Sequence, residues 1–378
     1  MSAITTAYTK TIDPDAAAHE LVAGASATLE GKPTLAILFA TSQYDTEHLA
    51  RAVSDALGGI PMWGGSSSTG VFTDAGWITG EAGAAGLMLV AGRPAAAAVA
   101  EVGDDAVAAG RSAARQVLDR LEGPPSALLT LAFMGPEEDL LKGIAEVAPG
   151  VPVVGGSSSD HSPAGKFQQF ANGHAYTGHF AIAAIGGPVG YAFSNGYRLT
   201  GKKVTVTRAE GRKAYELGGR RAMDVYTEWV GKPESEIGGG KILAFSVQYP
   251  LLFHKDGVTY SAHPVNANED GSMDFGAAMS TGMVLELGES SMNGLLSAVG
   301  DAVHKAAAGV PHPQGLLLCH CGGRAIALGD RIAEVPGEVE HTLGHLPLIG
   351  FLPFGEQGCT VPGIPTHADL SIAPLIFG

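Results

Sequence analysis

Ile60-Pro61-Met62-Trp63-Gly64-Gly65-Ser66-Ser67-Ser68 recurs later in the chain as Val151-Pro152-Val153-Val154-Gly155-Gly156-Ser157-Ser158-Ser159. Each copy follows a strand-like apolar run and then a helical stretch, in the same order, which is the signature of an internal repeat. A short strand that breaks into Gly-Gly can leave main-chain N–H groups unpaired, and three serines add small hydroxyl donors. Taken singly, such a segment is a tight turn. Two copies in matching contexts point to a shared polar cleft at paired strand ends, lined by Gly64, Gly65, Ser66, Ser67, Gly155, Gly156, Ser157 and Ser158.

Working outward, Asp13-Pro14 is a helix start, with Asp as N-cap and Pro in the first turn, and Gly31 closes the Ala-rich stretch after it. Residues 34–40 read as a buried strand, Asp45 caps a helix to Leu57, and Gly58-Gly59 ends it before the first serine segment. Short strands at 84–90 and 95–102 follow. The plan then repeats, with a helix after Asp104-Asp105, a strand at 127–133, a helix opened by Pro136-Glu137-Glu138 and the second serine segment. A strand over 175–185 ends it. The pattern predicts an α/β protein whose N-terminal domain, residues 1–189, is a duplication of strand-helix-strand units over about 1–103 and 104–189.

Past Gly190 the texture changes, which sets a C-terminal α/β domain with mixed sheets over 190–378. Residues 203–207 and 213–217 form a hairpin around Gly211, and 221–230 is an amphipathic helix. Residues 241–248 and 258–262 read as strands. The polar loop 266–272 lacks the alternating ligands of a calcium loop and is a hairpin turn. A helix over 292–308 leads to the apolar strand 315–321, which ends in Gly322-Gly323-Arg324, and a helix spans 334–344. Leu346-Pro347-Leu348-Ile349-Gly350-Phe351 resembles the approach to the two serine segments but runs on to Gly355-Glu356.

Composition narrows the class. A chain of 378 residues with 45% hydrophobic content has ample core for two domains. The formal charge of −15, with no Lys/Arg cluster long enough to neutralise phosphates, argues against nucleic acid and anionic membranes as partners. Three cysteines make no disulfide framework and suit a reducing compartment. Neither a signal-peptide core near Met1 nor an uninterrupted membrane-length apolar run is present, so the expected location is the cytoplasm.

These residues resemble the FIST family (F-box and intracellular signal transduction), over about 34–358 and through both its N-terminal and its C-terminal domain. The resemblance rests on the paired Pro-x-x-Gly-Gly-Ser-Ser segments, Phe39-Ala40-Thr41-Ser42-Gln43-Tyr44-Asp45, Gly196-Tyr197-Arg198 with Val206-Thr207, Cys321-Gly322-Gly323-Arg324 and Gly355-Glu356. It implies an intracellular sensory protein that binds a small ligand such as an amino acid and signals through an unidentified partner protein. Some relatives bind haem and respond to nitric oxide, so a haem sensor is the alternative implied. Gly65 stands where many members carry a cysteine, and Leu199-Thr200 replaces a proline.

The chemistry can be drawn from the residues themselves. Arg324 at a glycine bend suits a carboxylate held by two parallel hydrogen bonds, and Glu356 in an equivalent bend suits an ammonium. With Cys321 and Gly355 beside them they could seat a zwitterion, or Arg324 and Glu356 could pair with each other. No resident metal is expected: Cys319 and Cys321 lie outside any Cys-x-x-Cys motif, and His341 with His345 lack the glutamate of a zinc-protease helix. No Cys-x-x-Cys-His haem attachment exists either. A hydrolase using Ser66, Ser67, Ser157 or Ser158 is a further alternative, although the glycine spacing is wrong for a nucleophile elbow and no phosphate-loop lysine follows.

Overall fold

The computed structural model describes residues 3–161, 165–255, 257–360 and 363–378. It contains the expected α/β elements arranged as three equivalent units. The first runs strand Ile4–Thr9, helix Pro14–Ser26, strand Pro33–Thr41, helix Thr46–Ala56, strand Met62–Ser67, a hairpin of Val71–Thr73 with Gly76–Ile78, and strand Ala85–Ala91. The second repeats that order with strands Ala95–Glu101, Ala127–Ala132 and Val153–Ser157, the hairpin of Gln169–Ala171 with His174–Tyr176, and strand His179–Ile185, its helices being Ala106–Arg120 and Glu137–Val147. The third has strands Val189–Tyr191, Gly315–His320 and Leu348–Phe351, the hairpin of Glu356–Cys359 with Pro365–Ala368, and strand Ile372–Phe377. Its main helices are Met292–Ala307 and Val335–Leu343.

Each unit builds a six-stranded sheet with one parallel pair at its centre. The pairs are in the same register: Ala36 N donates to Pro61 O, Leu128 N to Pro152 O and Leu316 N to Pro347 O, each at 2.9 Å. The hairpins, however, are exchanged in a ring. The second unit's hairpin pairs with the first sheet, the third's with the second sheet, and the first's with the third sheet. Thus the N-terminal and C-terminal halves share their sheets, and the duplication read from sequence is two members of a set of three.

Strand alternation then divides the core. In the three central strands Leu38, Leu128 and Leu318 face outward onto helices, packing with Leu49, Leu140 and Val299 respectively. On the opposite face of the same strands Phe39, Leu131 and Cys319 face inward to one core common to all three sheets. Phe39 stacks there on Phe351 at 4.2 Å between ring centroids. The predicted N-caps are in place, since Asp13, Asp45 and Asp105 accept from the amides of Ala16, His48 and Ala108 at 2.9, 3.1 and 2.9 Å.

The third unit differs by an insertion after Val189–Tyr191. Strands Arg198–Glu210, Lys213–Leu217, Leu251–Lys255, Val258–Ala262 and Val284–Glu289 with helix Ala222–Val230 make a separate sheet structure that leans over the strand ends. Residues 241–248, expected as a strand, instead contain the short helix Lys241–Phe245. A short apolar run has no periodicity that distinguishes the two states, and here Gly238-Gly239-Gly240 turns the chain just before it. Among the described residues no helix is long and apolar enough to cross a membrane.

Candidate functional site

The strands Met62–Ser67, Val153–Ser157 and Leu348–Phe351 end around the pseudo-three-fold axis, where a ring of main-chain bonds ties them together. Ser68 N donates to Leu352 O at 3.4 Å, Ser159 N to Ser66 O at 3.0 Å and Phe354 N to Ser157 O at 2.9 Å. These are equivalent positions in the three units. The next residues, Thr69, Asp160 and Gly355, all line a single cavity of about 580 Å³. Strand ends from every unit therefore converge on one hollow, the usual place for a ligand in α/β sheets and of a size that suits a small molecule.

The walls are mainly apolar. Trp77 comes from the exchanged hairpin, Ile326 and Ile332 from the segment after strand Gly315–His320, and Leu243 and Val265 from the insertion. Met134 and Ile326 keep 46% and 51% of their surface exposed, which leaves apolar side chains at the cavity mouth. The polar residues of the wall include Ser68, Asp160, His263, Cys321 and Asp369.

The segments singled out in the sequence reach this site, but most of their side chains stand behind it. Gly64 and Gly65 lie inside a strand paired on both sides, so their amides are ladder groups and not open donors. Their smallness serves packing: a Cβ on Gly64 would lie 1.8 Å from Leu38 O, and one on Gly155 would lie 1.9 Å from Thr130 O. On Gly65 it would meet Leu131, and on Gly156 it would meet Pro353.

The serine hydroxyls are likewise spent. Ser66 Oγ accepts from Gln168 N at 2.8 Å, while Ser67 Oγ donates to Gly70 O at 2.5 Å and accepts from Leu352 N at 2.9 Å. Ser158 Oγ donates to Ala132 O at 3.0 Å. Ser157 Oγ donates to Glu137 Oε1 at 2.9 Å, and Glu137 in turn takes Arg212 of the insertion at 2.6 Å. All four serines are fully buried and none lines the cavity, which leaves no exposed nucleophile among them.

Arg324 corrects the drawn zwitterion seat. Its guanidinium is fully buried and donates to Asn195 O at 2.5 Å, Leu295 O at 2.6 Å and Leu370 O at 3.3 Å, so the fork holds main-chain carbonyls and not a ligand carboxylate. It does not pair with Glu356 either: that carboxyl is buried, accepts from Ser371 N at 2.8 Å and contacts the Cys321 thiol. Burial holds Glu356 well above the usual carboxylate range and raises the Cys321 thiol as well. Cys321 and Gly355 are on the cavity wall, whereas Arg324 and Glu356 are one layer back.

What these buried groups hold is the turn Asp369-Leu370-Ser371. Leu370 sits at φ 53°, a left-handed conformation that costs a branched side chain of order 1 kcal/mol or more and persists only where neighbours enforce it. Arg324 binds Leu370 O, Glu356 binds Ser371 N, and the hydroxyls of Ser261 and Ser371 donate to Asp369 O. The turn presents Asp369 to the cavity. Its Oδ2 accepts from His263 N at 2.9 Å, and burial pushes its carboxyl up to about 6. Nothing in the sequence singles out Asp369, because its place depends on contacts with residues more than a hundred positions away.

A carboxyl that titrates higher in the folded protein than in the unfolded chain favours folding when protonated. That contribution is full below about pH 4 and is lost as pH rises through about 6. In denaturant titrations Asp369→Asn should remove a component of pH-dependent stability on the order of 2 kcal/mol between those limits. Parallel curves for variant and parent over pH 4–7 would refute the assignment.

Among the described residues no group of three or more His, Cys, Asp or Glu is placed to hold a metal ion. Two imidazoles line the cavity: His263, whose Nε2 is committed to Leu243 O at 2.8 Å, and His161 on the exposed side of the wall; among the described wall residues there is no Lys or Arg to meet haem propionates.

Comparison with known proteins matches the FIST N domain to residues 34–220 and the FIST C domain to residues 222–359. Among solved structures, a cyanuric acid hydrolase from A. caulinodans aligns over 100% of this chain and 99% of its own at 10% identity and a TM-score of 0.35. PurLQS from Thermotoga maritima aligns over 99% of this chain and 72% of its own at 12% identity and a TM-score of 0.26. No curated protein matches the chain. The two structural likenesses are too low to bear on what it does.

Proposed function

Because this chain belongs to the FIST family through both its N and its C domain, we propose that it is a ligand-binding sensory protein whose ligand occupies the axial cavity. FIST domains are sensory domains of signal transduction. The observation that carries the reading is the convergence of Thr69, Asp160 and Gly355, equivalent residues of three units, on one hollow of about 580 Å³. A ligand there touches all three units and the insertion at once, through Leu243, His263 and Val265. Binding would therefore favour one placement of the insertion over others, which is how a ligand shifts a conformational equilibrium.

The signal passes to a partner protein, and a cytoplasmic site of action accords with three buried free cysteines. An amino acid held between Arg324 and Glu356 does not match this geometry, since both groups are spent on the protein's own main chain.

Thermal-shift screening of small metabolites should find compounds that raise the melting temperature, and Gly322→Trp, which fills the cavity wall, should abolish the shift. A stabilising ligand that binds Gly322→Trp as well as the parent would place the site elsewhere. A Soret band on addition of haemin would instead support the haem alternative.

A further inference from the structure

We infer that the axial cavity selects a monocationic amine with an apolar body, its ammonium seated on Asp369. The inference rests on the cavity being the ligand site, and adds the sign and shape of the ligand.

Among the described residues the cavity wall carries Asp160 and Asp369 but no lysine or arginine. The nearest guanidinium groups are both consumed: Arg212 binds Glu137 and Glu138 at 2.6 and 2.7 Å, and Arg324 binds main-chain carbonyls. His263 cannot supply a positive charge, since burial pushes it down to about 4 and its Nε2 is bonded to Leu243 O. Of the other imidazoles, His367 stands 4.0 Å from both Glu137 Oε1 and Asp369 Oδ1 and His161 is on the exposed side of the wall, so a carboxylate or phosphate beside Asp369 would be desolvated next to a like charge with no free ammonium or guanidinium to offset it.

Asp369 is only 5% exposed, and among the described residues its Oδ1 accepts no hydrogen bond, its ion-pair partner being His367 with Nε2 4.0 Å away. Two glycines of the cavity wall give it room: a Cβ on Gly276 would fall 2.2 Å from Oδ1, and one on Gly355 would fall 3.5 Å from it. That oxygen is the part of the carboxylate open to the cavity, where a ligand N–H⁺ can form a charge-assisted hydrogen bond with it. The turn that carries Asp369 is already fixed by Arg324, Glu356 and Ser261, so little ordering cost falls on binding.

Trp77, Leu243, Val265, Ile326, Ile332 and Phe354 surround the remaining space, and the two aromatic rings can also face a cation. An amino acid would bring a carboxylate into these apolar walls, so the site should reject it in favour of the corresponding amine.

Asp369 must be ionised to hold an ammonium. The groups facing it are His367 from its own hairpin, His263 and Arg212 from the insertion, Glu137 from the second unit, and Glu356 with Cys321 behind the turn. With its carboxyl at about 6, lowering the pH from 7.5 to 5 should weaken an amine that stays charged throughout by about tenfold.

Isothermal titration of the full chain with butylamine, hexylamine, phenethylamine and tryptamine tests this, beside the alcohols and carboxylic acids of the same skeletons and the amino acids phenylalanine and tryptophan. At least one amine should bind tenfold or more tighter than its alcohol, acid and amino-acid counterparts and lose about tenfold at pH 5. Asp369→Asn should lose at least tenfold for the amine and leave the alcohol unchanged. Alcohols or acids that bind as well as the amines, or an amine affinity flat from pH 7.5 to 5 in the parent protein, overturn the cation assignment and leave the cavity as a ligand site. Absence of binding by every compound overturns the cavity reading as well.

Discussion

Gly64→Ala should cost roughly 3–5 kcal/mol of unfolding free energy, enough to leave most of the protein unfolded at ambient temperature if its stability is typical. The new methyl would stand 1.8 Å from Leu38 O, an atom of the neighbouring central strand that cannot retreat without breaking the parallel ladder. Gly64 also sits at φ 156°, outside the ordinary strand region. The three-fold repeat makes the prediction graded. Gly155→Ala, at 1.9 Å from Thr130 O, should cost about as much, while Gly350→Ala, at 2.7 Å from Leu318 O, should cost less. Gly337→Ala is the internal control, because its Cβ meets nothing within 4 Å in an exposed helix, and it should gain about 0.5–1 kcal/mol. Urea unfolding of the four variants checks the order, and a Gly64→Ala protein as stable as Gly337→Ala would refute the packing account.

Arg324→Met is expected to cost about 3–5 kcal/mol and to impair the site as well as the fold. Methionine keeps much of the volume but leaves the buried carbonyls of Asn195, Leu295 and Leu370 without their donors, each a desolvated acceptor costing about 1–3 kcal/mol. Loss of the bond to Leu370 O frees the left-handed turn beside Asp369, so ligand affinity should fall even in molecules that remain folded. Arg324→Lys should recover only a minor part, since an ammonium cannot reach three carbonyls set for a planar fork. Unfolding curves together with titration of whichever ligand binds the parent separate the two effects. Unchanged affinity in folded Arg324→Met would mean that the turn is held without it. A guanidinium that met ligand directly would behave differently, with binding lost and stability nearly untouched.

Much of the fold is legible locally because helices and strands have their own periods and end signals. Asp13, Asp45 and Asp105 cap helices through bonds to residues three positions on, so a reader of neighbouring residues finds them. Residues 241–248 were not legible, since a run as short as Ile-Leu-Ala-Phe suits either a helix or a strand until its packing is known. Strand Ile4–Thr9 carries no apolar run either, and it forms by pairing with Ala85–Ala91 far along the chain. The segments singled out in the sequence meet the cavity unevenly. Cys321 and Gly355 reach the cavity, whereas the serines, Arg324 and Glu356 hold the main chain that surrounds it.

By itself the sequence determined the order of elements, the repeated Pro-x-x-Gly-Gly-Ser-Ser-Ser segments and the membership that follows from them. Those features are set by contacts within a few residues or by motifs that survive as strings. Tertiary structure alone decided that the repeat is three-fold, that its hairpins are exchanged in a ring, and that Asp369 and not Arg324 faces the cavity. Each of those outcomes depends on partners 29 to more than 100 positions apart, such as the carbonyls of Leu295 and Asn195 that take up the guanidinium. Whether a buried charge serves the protein or its ligand is fixed by which distant acceptors arrive beside it, and no local pattern records that.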